Sequence, residues 1–412
     1  MARSTTNTAA DAAPAGRWRA LAWLSVATLL GMTTWFSGTA VVRVLRADWQ
    51  LSVAETAWLT IAVQLGFVSG SLPVAFTNLL DITAPRRMLI VAGLAAAACN
   101  AAFAFTSSPA PAFLLRFLTG VCLAGVYPTG LKLMSTWFRA QRGTALGIMV
   151  GALAIGSASP HLLNGLGGLP WQIVVLGTSA CSALGAGIAA WGVHEGPFPF
   201  PRAQFDPRRV GAAFREPGLR LAGLGYYGHM WELYALWAWF EVFLADSLAH
   251  AGRPSRTLAS LGAFITISAG FAGAWAAGVL ADRWGRTRVA GGAMVLSCAC
   301  CLIAGLLYGA PYPALLVLGM VWGATALADS AQFSTMVTEL SDPSSVGTTL
   351  TVQLALGFLL TTATLWLIPV VRDAWSWRWA FVLLAPGPLL GTLAMVRLRA
   401  HPEAVRIAGG RG

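Results

Sequence analysis

Charge is scarce in this chain. Only 10% of its 412 residues are charged, whereas 57% are hydrophobic, and the mean hydropathy is +0.67. Ordinary soluble domains carry about 25% charged residues. Lysine is almost missing, because Lys132 is the only one and arginine supplies the rest of the 27 basic residues. This composition argues against a soluble enzyme and places most of the chain in lipid.

The chain also lacks the motifs of several chemical classes. Its six cysteines do not have the spacing of a disulfide framework, and the one C-x-x-C pair, Cys298 and Cys301, lies inside an apolar segment with no second pair to complete a metal site. It has no Walker-type phosphate loop, no H-E-x-x-H, no G-x-S-x-G and no cluster of carboxylates. We therefore expect no enzymatic activity, no cofactor, no metal and no ATP hydrolysis by this chain. The net charge of +11 does not indicate a nucleic-acid partner, because the arginines fall in the loops between apolar segments.

Apolar windows long enough to cross a bilayer recur along the whole sequence. A helix needs about 20 apolar residues to span the hydrocarbon core. Windows bounded by charge, Pro and Gly predict twelve spans: 20–42, 56–80, 88–107, 112–137, 143–166, 172–193, 219–245, 259–280, 289–309, 313–337, 347–371 and 379–397. The sequence therefore predicts an all-α, multi-pass membrane protein.

The distribution of basic residues predicts the orientation of these spans. Short cytoplasmic loops are enriched in Arg and Lys. Nineteen of the 27 basic residues fall on the side of the two termini, and six fall in the opposite loops. Both termini are therefore predicted to be cytoplasmic, and the expected location is a bacterial inner membrane.

Internal similarity divides the predicted spans into two sets of six. Asp81 with Arg87 recurs 201 positions later as Asp282 with Arg288, and Trp35-Phe36 recurs 204 positions later as Trp239-Phe240. This near-constant offset favours two parallel repeats. The predicted organisation is an N-terminal six-helix bundle (1–193), a cytoplasmic linker rich in Pro and Arg (194–218) and a C-terminal six-helix bundle (219–412).

One loop carries a family resemblance. The segment from Gly278 through Asp282, Arg283, Gly285 and Arg286 to Arg288 resembles the G-x-x-x-D-R-x-G-R-x-R/K loop of the major facilitator superfamily, and Asp81 to Arg87 resembles a degenerate copy. The resemblance implies the major facilitator fold, with two bundles that rock around a central site lined by spans 1, 4, 7 and 10. It also implies a conformational latch at Gly278, Asp282, Arg283, Gly285, Arg286, Arg288, Asp81 and Arg87.

Ionisable residues inside the spans are functional candidates, because an unpaired charge at mid-bilayer costs several kcal/mol. Glu232 lies at the centre of span 7, and His229 precedes it by three residues on the same helical face. Low-dielectric surroundings favour the protonated carboxyl group, so we predict that Glu232 and His229 form a proton-coupling site. Glu241 lies about 180° round the helix, so both acids cannot face one cavity, and Glu232 is the predicted cavity residue.

Two further sets are candidates for substrate binding or gating. Lys132 in span 4 and Asp329 in span 10 could meet across the cavity, where the lysine could bind an anion or the pair could act as a gate. Arg116 is a weaker candidate for contact with the site, and Trp35 and Trp239 are predicted to be aromatic walls of the site. His161 is predicted to be a hydrogen-bonded core residue.

The function predicted from these features is secondary active transport of a small solute by alternating access, with proton coupling. A small organic or inorganic anion is the first substrate prediction, because of Lys132 and Arg116. Parts of spans 4 and 5 look similar to the anion, nitrate/nitrite and cyanate branches, and the subfamily stays open. A proton-driven exporter of drugs or metabolites is the alternative, and a channel or a transporter-like sensor is the alternative from another class. The expected partners are the solute, protons and lipid, and the expected oligomeric state is a monomer.

Overall fold

The computed structural model describes residues 14–77, 83–139, 141–167, 169–198, 206, 208, 211–342 and 346–412. The α-helices in this part of the chain are α1 Arg17–Met32, α2 Ser37–Ala40, α3 Val42–Asp48, α4 Val53–Phe76, α5 Pro85–Phe103, α6 Pro109–Leu123, α7 Tyr127–Ser135, α8 Arg142–Gly165, α9 Trp171–Gly192, α10 Ala212–Arg215, α11 Pro217–His250, α12 Arg256–Trp284, α13 Arg286–Ala304, α14 Tyr312–Ala328, α15 Ser330–Leu340, α16 Val346–Trp375, α17 Trp377–Ala380 and α18 Pro386–Ala400. Short 3₁₀ segments lie at Val382–Leu384 and Pro402–Gly409.

These helices confirm the predicted all-α membrane fold. Ten stretches of the described chain are long and apolar enough to span a bilayer. The discontinuous first span, α1 to α3, and the 34-residue helix α11 complete the predicted twelve. Helix α11 carries Glu232 and Glu241 together with many aromatic residues.

Three spans are broken near their middles. Span 1 unwinds at 33–36 between α1 and α2, span 4 breaks between α6 and α7, and span 10 breaks at Asp329 between α14 and α15. Pro128 at the start of α7 accounts for the second break, because proline removes one backbone hydrogen-bond donor. Non-helical backbone at membrane depth is tolerated where protein or a cavity surrounds it. All three breaks lie in spans that the resemblance assigns to the central site.

The N-terminal and C-terminal helices meet along two main seams, α8 against α12 and α4 against α16. The first seam depends on glycine at the predicted loop motif. A Cβ atom at Gly278 would lie 2.7 Å from the carbonyl oxygen of Gly143. Any larger residue at position 278 would therefore force α8 and α12 apart at this end.

The start of α1 and the C-terminal residues lie on one side of the helices, which we call the terminal side: Arg17 donates to Gln141 before α8, and Gly412 accepts from Thr287 at the start of α13. Gly285 turns the chain between α12 and α13 with φ +92°, a left-handed conformation that favours glycine. The C-terminal 3₁₀ segment lies against this turn, where Thr287 N donates to the Gly412 carbonyl and the Arg411 guanidinium donates to the Asp282 carbonyl. The terminal side of the C-terminal helices is therefore tied together by backbone contacts.

Candidate functional site

A cavity lies between the two sets of helices and extends to the terminal side, where α8 and α13 begin. Its volume is about 500 Å³, which is within the range of small-molecule sites. Apolar side chains and hydroxyl groups form most of its wall: Ser71, Val74, Ala75, Ala124, Pro128, Leu131, Met134, Ser135, Leu146, Ser334, Thr335, Thr338, Leu350, Thr351 and Leu354. Helices α4, α7, α8, α15 and α16 provide these residues, apart from Ala124, which lies in the break of span 4.

The charged groups of the cavity are mainly positive. Lys132, Arg139, Arg142 and Arg286 line it, whereas Glu339 is the one acidic residue among the described lining residues. Glu339 is already bound by Arg286, whose Nε and Nη2 lie 3.0 and 2.9 Å from its carboxylate oxygens. Lys132 is only 8% exposed, so its charge lies within the protein. Basic side chains therefore outnumber acidic ones among the described lining residues.

An aromatic layer closes the cavity on the side opposite the chain ends. Trp35, in the unwound part of span 1, lies 5.0 Å from Phe67, 5.8 Å from Tyr234 and 5.7 Å from Phe358 between ring centroids. Phe67 and Phe358 are themselves 4.5 Å apart. Because Trp35 and Phe67 belong to the N-terminal helices and the other two rings to the C-terminal helices, this layer joins the two sets.

The two tryptophans predicted as equivalent walls have different surroundings. Trp35 is part of the aromatic layer, whereas the indole nitrogen of Trp239 donates to the Leu365 carbonyl at 3.0 Å. Trp237 contacts the N-terminal helices instead, with its ring 5.8 Å from Phe36. Trp239 therefore packs against span 11, whereas Trp237 is the tryptophan of α11 that contacts the N-terminal helices. The repeat offset gave no indication of this role for Trp237.

Arg116 holds the break in span 1 together. Its fully buried guanidinium donates to the carbonyl of Thr34 at 2.9 Å, to the Ser37 hydroxyl at 3.0 Å, to Asn100 Oδ1 at 2.9 Å and to the carbonyl of Trp35. The carbonyls of Thr34 and Trp35 are backbone groups that unwinding leaves without helical partners. Arg116 therefore fixes the position of Trp35 rather than lining the cavity.

Glu232 lies inside the C-terminal helices. Its Oε1 accepts hydrogen bonds from the Ser297 hydroxyl, the Trp322 indole and the Cys301 thiol, the last at 3.2 Å. The side chain is 2% exposed and is separate from the lining of the cavity. The prediction that Glu232 rather than Glu241 faces the central cavity therefore differs from the observed placement.

His229 and Asp329 form a buried pair one turn away from Glu232. His229 Nδ1 lies 2.7 Å from Asp329 Oδ1, and both side chains are almost fully buried. Asp329 occupies the break in span 10, so the pair joins α11 to this break. The partner that the structure gives to Asp329 is thus His229, whereas Lys132, its predicted partner, lines the cavity on α7.

Glu241 joins the two sets of helices on the side opposite the terminal side. Its Oε2 lies 2.5 Å from His161 Nδ1, and its Oε1 accepts from Asn164 Nδ2 at 3.0 Å and from the Ser260 hydroxyl at 2.5 Å. Arg256 donates to Asn164 Oδ1 at 2.6 Å. Sequence reasoning missed this cluster, because spacing along a helix does not reveal partners on other helices.

The structure describes all residues of the predicted latch except Asp81. Asp282 and Gly278 lie against the first turn of α8, where a Cβ at Gly143 would be 3.1 Å from the Asp282 carboxylate. Arg286 reaches Asp282 at 3.8 Å as well as Glu339, while Arg283, Arg288 and Arg87 are exposed. Asp81 lies outside the described residues. The seam at this loop is thus formed by Gly278 and Asp282.

Comparison with known proteins agrees with this architecture. A sequence profile of the Major Facilitator Superfamily matches residues 23–275 and 222–412. The chain belongs to this superfamily of membrane transporters. The resemblance drawn from the loop motif is thereby confirmed. No curated protein sequence matches the chain.

Solved transporters of this superfamily share the fold at low sequence identity. The proton:xylose symporter XylE bound to 6-bromo-6-deoxy-D-glucose is 12% identical, with a TM-score of 0.73 over 92% of this chain and 96% of that one. A mutant of the nucleoside transporter NupG is 14% identical, with a TM-score of 0.70 over 92% and 99% of the two chains. At these identities the similarities show the fold, which agrees with the predicted major facilitator architecture.

Proposed function

We propose that this superfamily member is a proton-coupled secondary transporter of a small organic anion in a bacterial inner membrane. The observation that carries the proposal is the position of Lys132, the one lysine of the chain, almost fully buried in the wall of the cavity. If the terminal side is cytoplasmic, as the arginine distribution predicts, the cavity is the inward-facing substrate site.

The basic side chains among the described lining residues of the cavity support an anion. Arg286 is neutralised by Glu339, and the Arg139 guanidinium lies 4.5 Å from the Phe198 ring at the mouth of the cavity. Lys132 lies deeper, beside the hydroxyl-bearing wall. A carboxylate there would gain the ammonium as a charged donor. The apolar part of the wall, including Val74, Leu350 and Leu354, suits an organic body rather than a bare inorganic ion.

The buried ionisable residues of α11 support proton coupling. Glu232, His229 and Asp329 place two carboxyl groups and one imidazole in a water-poor part of the C-terminal helices. Burying a charge costs more than burying a neutral carboxyl group, so a group in such surroundings can carry a proton through the membrane. We propose that this proton is the coupling proton and that Glu232 carries it.

Thermal unfolding of the purified protein tests the substrate class. A ligand that binds only the native state adds RT ln(1 + [L]/Kd), about 2.7 kcal/mol at a hundredfold excess over Kd. We expect small organic anions in a panel of anions, amino acids, sugars and lipophilic cations to raise the unfolding temperature. Lys132→Ala should remove that rise, whereas Arg139→Gln, which removes a charge at the mouth, should retain most of it.

Two outcomes would contradict the anion assignment. The first is stabilisation by lipophilic cations alone, with sensitivity to Glu232→Gln or Asp329→Asn, which would favour the exporter alternative. The second is stabilisation by anions that Lys132→Ala leaves unchanged. In that case the anion site would have to lie elsewhere in the chain.

A further inference from the structure

We infer that a second pocket, on the lipid-facing surface of the terminal side, binds one anionic phospholipid. The pocket has a volume of about 320 Å³ and shares no lining residue with the central cavity. It lies between the start of α1, the chain after α7 and the end of α9, and its lining residues are Gly16, Arg19, Ala20, Trp23, Trp137, Trp191, Gly192 and His194. This site is independent of the solute and of the coupling proton.

The pocket lies where three apolar spans end. The first predicted span begins at residue 20, the fourth ends at 137 and the sixth ends at 193. Three of the lining residues are tryptophans, which are enriched at the boundary between lipid and water. Trp191 is 72% exposed, so its ring faces away from the packed helices. A lipid molecule beside the protein can therefore reach the pocket from the bilayer.

The indole rings form an apolar wall that suits an acyl chain. Trp23 and Trp191 pack edge to face, with ring centroids 5.3 Å apart. Gly192 makes this packing possible, because a Cβ atom at that position would lie 2.9 Å from the Trp23 ring. The indole nitrogen of Trp137 donates to the His194 carbonyl at 3.0 Å, which fixes the third ring. The wall therefore combines side chains from α1, α9 and the chain after α7.

The pocket also contains a guanidinium that is available to an anion. Arg19 is exposed, and it forms no hydrogen bond or ion pair with the part of the chain that the structure describes. The neighbouring arginines are already bound. Arg17 donates to Gln141 at 2.8 Å, and Arg86 donates to the Ala189 carbonyl at 3.3 Å. Arg19 is therefore the arginine of this surface that can bind a ligand in the pocket.

The combination of charge and indole rings favours a lipid headgroup over a free anion. The described lining residues include Arg19 and His194 but no acidic residue, and exposed Glu195 lies outside the lining. A phosphodiester group would meet the Arg19 guanidinium as a charged donor, while its acyl chains lie along the tryptophan wall. Basic pockets between helix ends bind anionic headgroups in this way. A free phosphate has no apolar part that could contact the indoles.

Native mass spectrometry of the purified protein tests the site with phosphatidylglycerol and phosphatidylcholine that have identical acyl chains. One basic residue near a bilayer surface contributes a factor of about five to the binding of anionic lipid. We therefore expect the first phosphatidylglycerol to bind about fivefold more tightly than the first phosphatidylcholine. Arg19→Gln should abolish this preference, and Arg19→Lys, which keeps the charge, should retain it. Arg397→Gln removes a charge from an exposed position in the last turn of α18 and should also retain it.

Fluorescence quenching tests the same pocket in a bilayer. The difference in emission between the wild-type protein and Trp191→Phe reports the fluorescence of Trp191. Phosphatidylglycerol with brominated acyl chains should quench this emission at a lower mole fraction than brominated phosphatidylcholine does. The two quenching curves should coincide in the Arg19→Gln background, and an excess of inorganic phosphate should leave the wild-type curves unchanged.

Several results would overturn the inference. These are equal binding of the two lipids by the wild-type protein, a preference for phosphatidylglycerol that persists in Arg19→Gln, and a preference that Arg397→Gln also abolishes. Displacement of the lipid by inorganic phosphate would mean that the pocket takes a free anion instead. Neither measurement uses the solute, Lys132 or Glu232, so each result is separate from a failure of the proposed function.

Discussion

Helix α11 carries two buried glutamates nine residues apart, and their surroundings differ completely. Glu232 accepts hydrogen bonds from Ser297, Cys301 and Trp322, all within the C-terminal helices. Glu241 is bound by His161 and Asn164 of the N-terminal helices. When the two sets of helices move apart, the partners of Glu232 can move with it, whereas Glu241 must leave two of its partners behind.

We infer from this difference that the two carboxyl groups act in different parts of a transport cycle. A carboxyl group with constant partners can hold a proton through a conformational change. One whose partners lie across a moving seam can sense or control that change. We therefore treat Glu232 as the proton carrier and Glu241 as part of the gate, and the predictions below test this division.

The largest effect is expected from neutralising the carrier. Glu232→Gln keeps the size of the side chain but cannot release a proton, so accumulation driven by a pH gradient should fall at least tenfold in proteoliposomes. Exchange of substrate by counterflow needs no net proton movement and should persist. Ser297→Ala, which removes one hydrogen-bond donor and leaves the carboxyl group, is the matched control and should retain uphill uptake. Unchanged accumulation by Glu232→Gln would remove it from the coupling mechanism.

An intermediate effect is expected from breaking the contact between Asp329 and His229. His229→Ala and Asp329→Ala, measured singly and together by unfolding, should show a coupling free energy of about 0.5–3 kcal/mol, because contacting residues are not additive. The cycle of Lys132→Ala with Asp329→Ala should be additive within about 0.5 kcal/mol. The reverse pattern would mean that Lys132 and Asp329 form the pair predicted from the sequence.

The smallest effect is expected at the exposed part of the outer seam. Arg43 and Asp246 join the two sets of helices as Glu241 and His161 do, but their side chains are 49% and 32% exposed. Exposed ion pairs contribute about 0–1 kcal/mol. Spin labels at Asp48→Cys and Ala249→Cys, exposed positions at the ends of α3 and α11 on this side, report the separation of the two sets of helices. Arg43→Gln should change the population of the longer label distance by less than about fivefold, and 0.5 M salt should have the same effect. A larger shift than that of Glu241→Gln would place the gate at the exposed pair.

Much of this arrangement follows from the sequence, because lipid imposes strong constraints on it. Twelve apolar windows, an arginine bias and the loop from Gly278 to Arg288 were sufficient for the fold and the superfamily. Contacts between residues far apart in the sequence could not be predicted in this way. Helical periodicity showed that Glu232 and Glu241 face opposite directions, but it could not show which direction leads to the N-terminal helices.

The breaks in the spans were also hidden in the sequence. The predicted first span, 20–42, is a single helix by hydropathy, but the structure divides it at 33–36. The Arg116 guanidinium supplies donors to the unwound backbone, and Asn100 on α5 helps to position that guanidinium. Such a break depends on three spans at once, so no window of one span could indicate it.

Proton movement that accompanies substrate entry tests the central claim most directly. Proteoliposomes that contain a pH-sensitive dye would receive an inward gradient of the organic anion that stabilises the wild-type protein, with no pH gradient imposed. We predict that the lumen acidifies as the anion enters through the wild-type protein and that Glu232→Gln abolishes the acidification. Entry of the anion through the wild-type protein without any change in luminal pH would contradict proton-coupled transport by this chain.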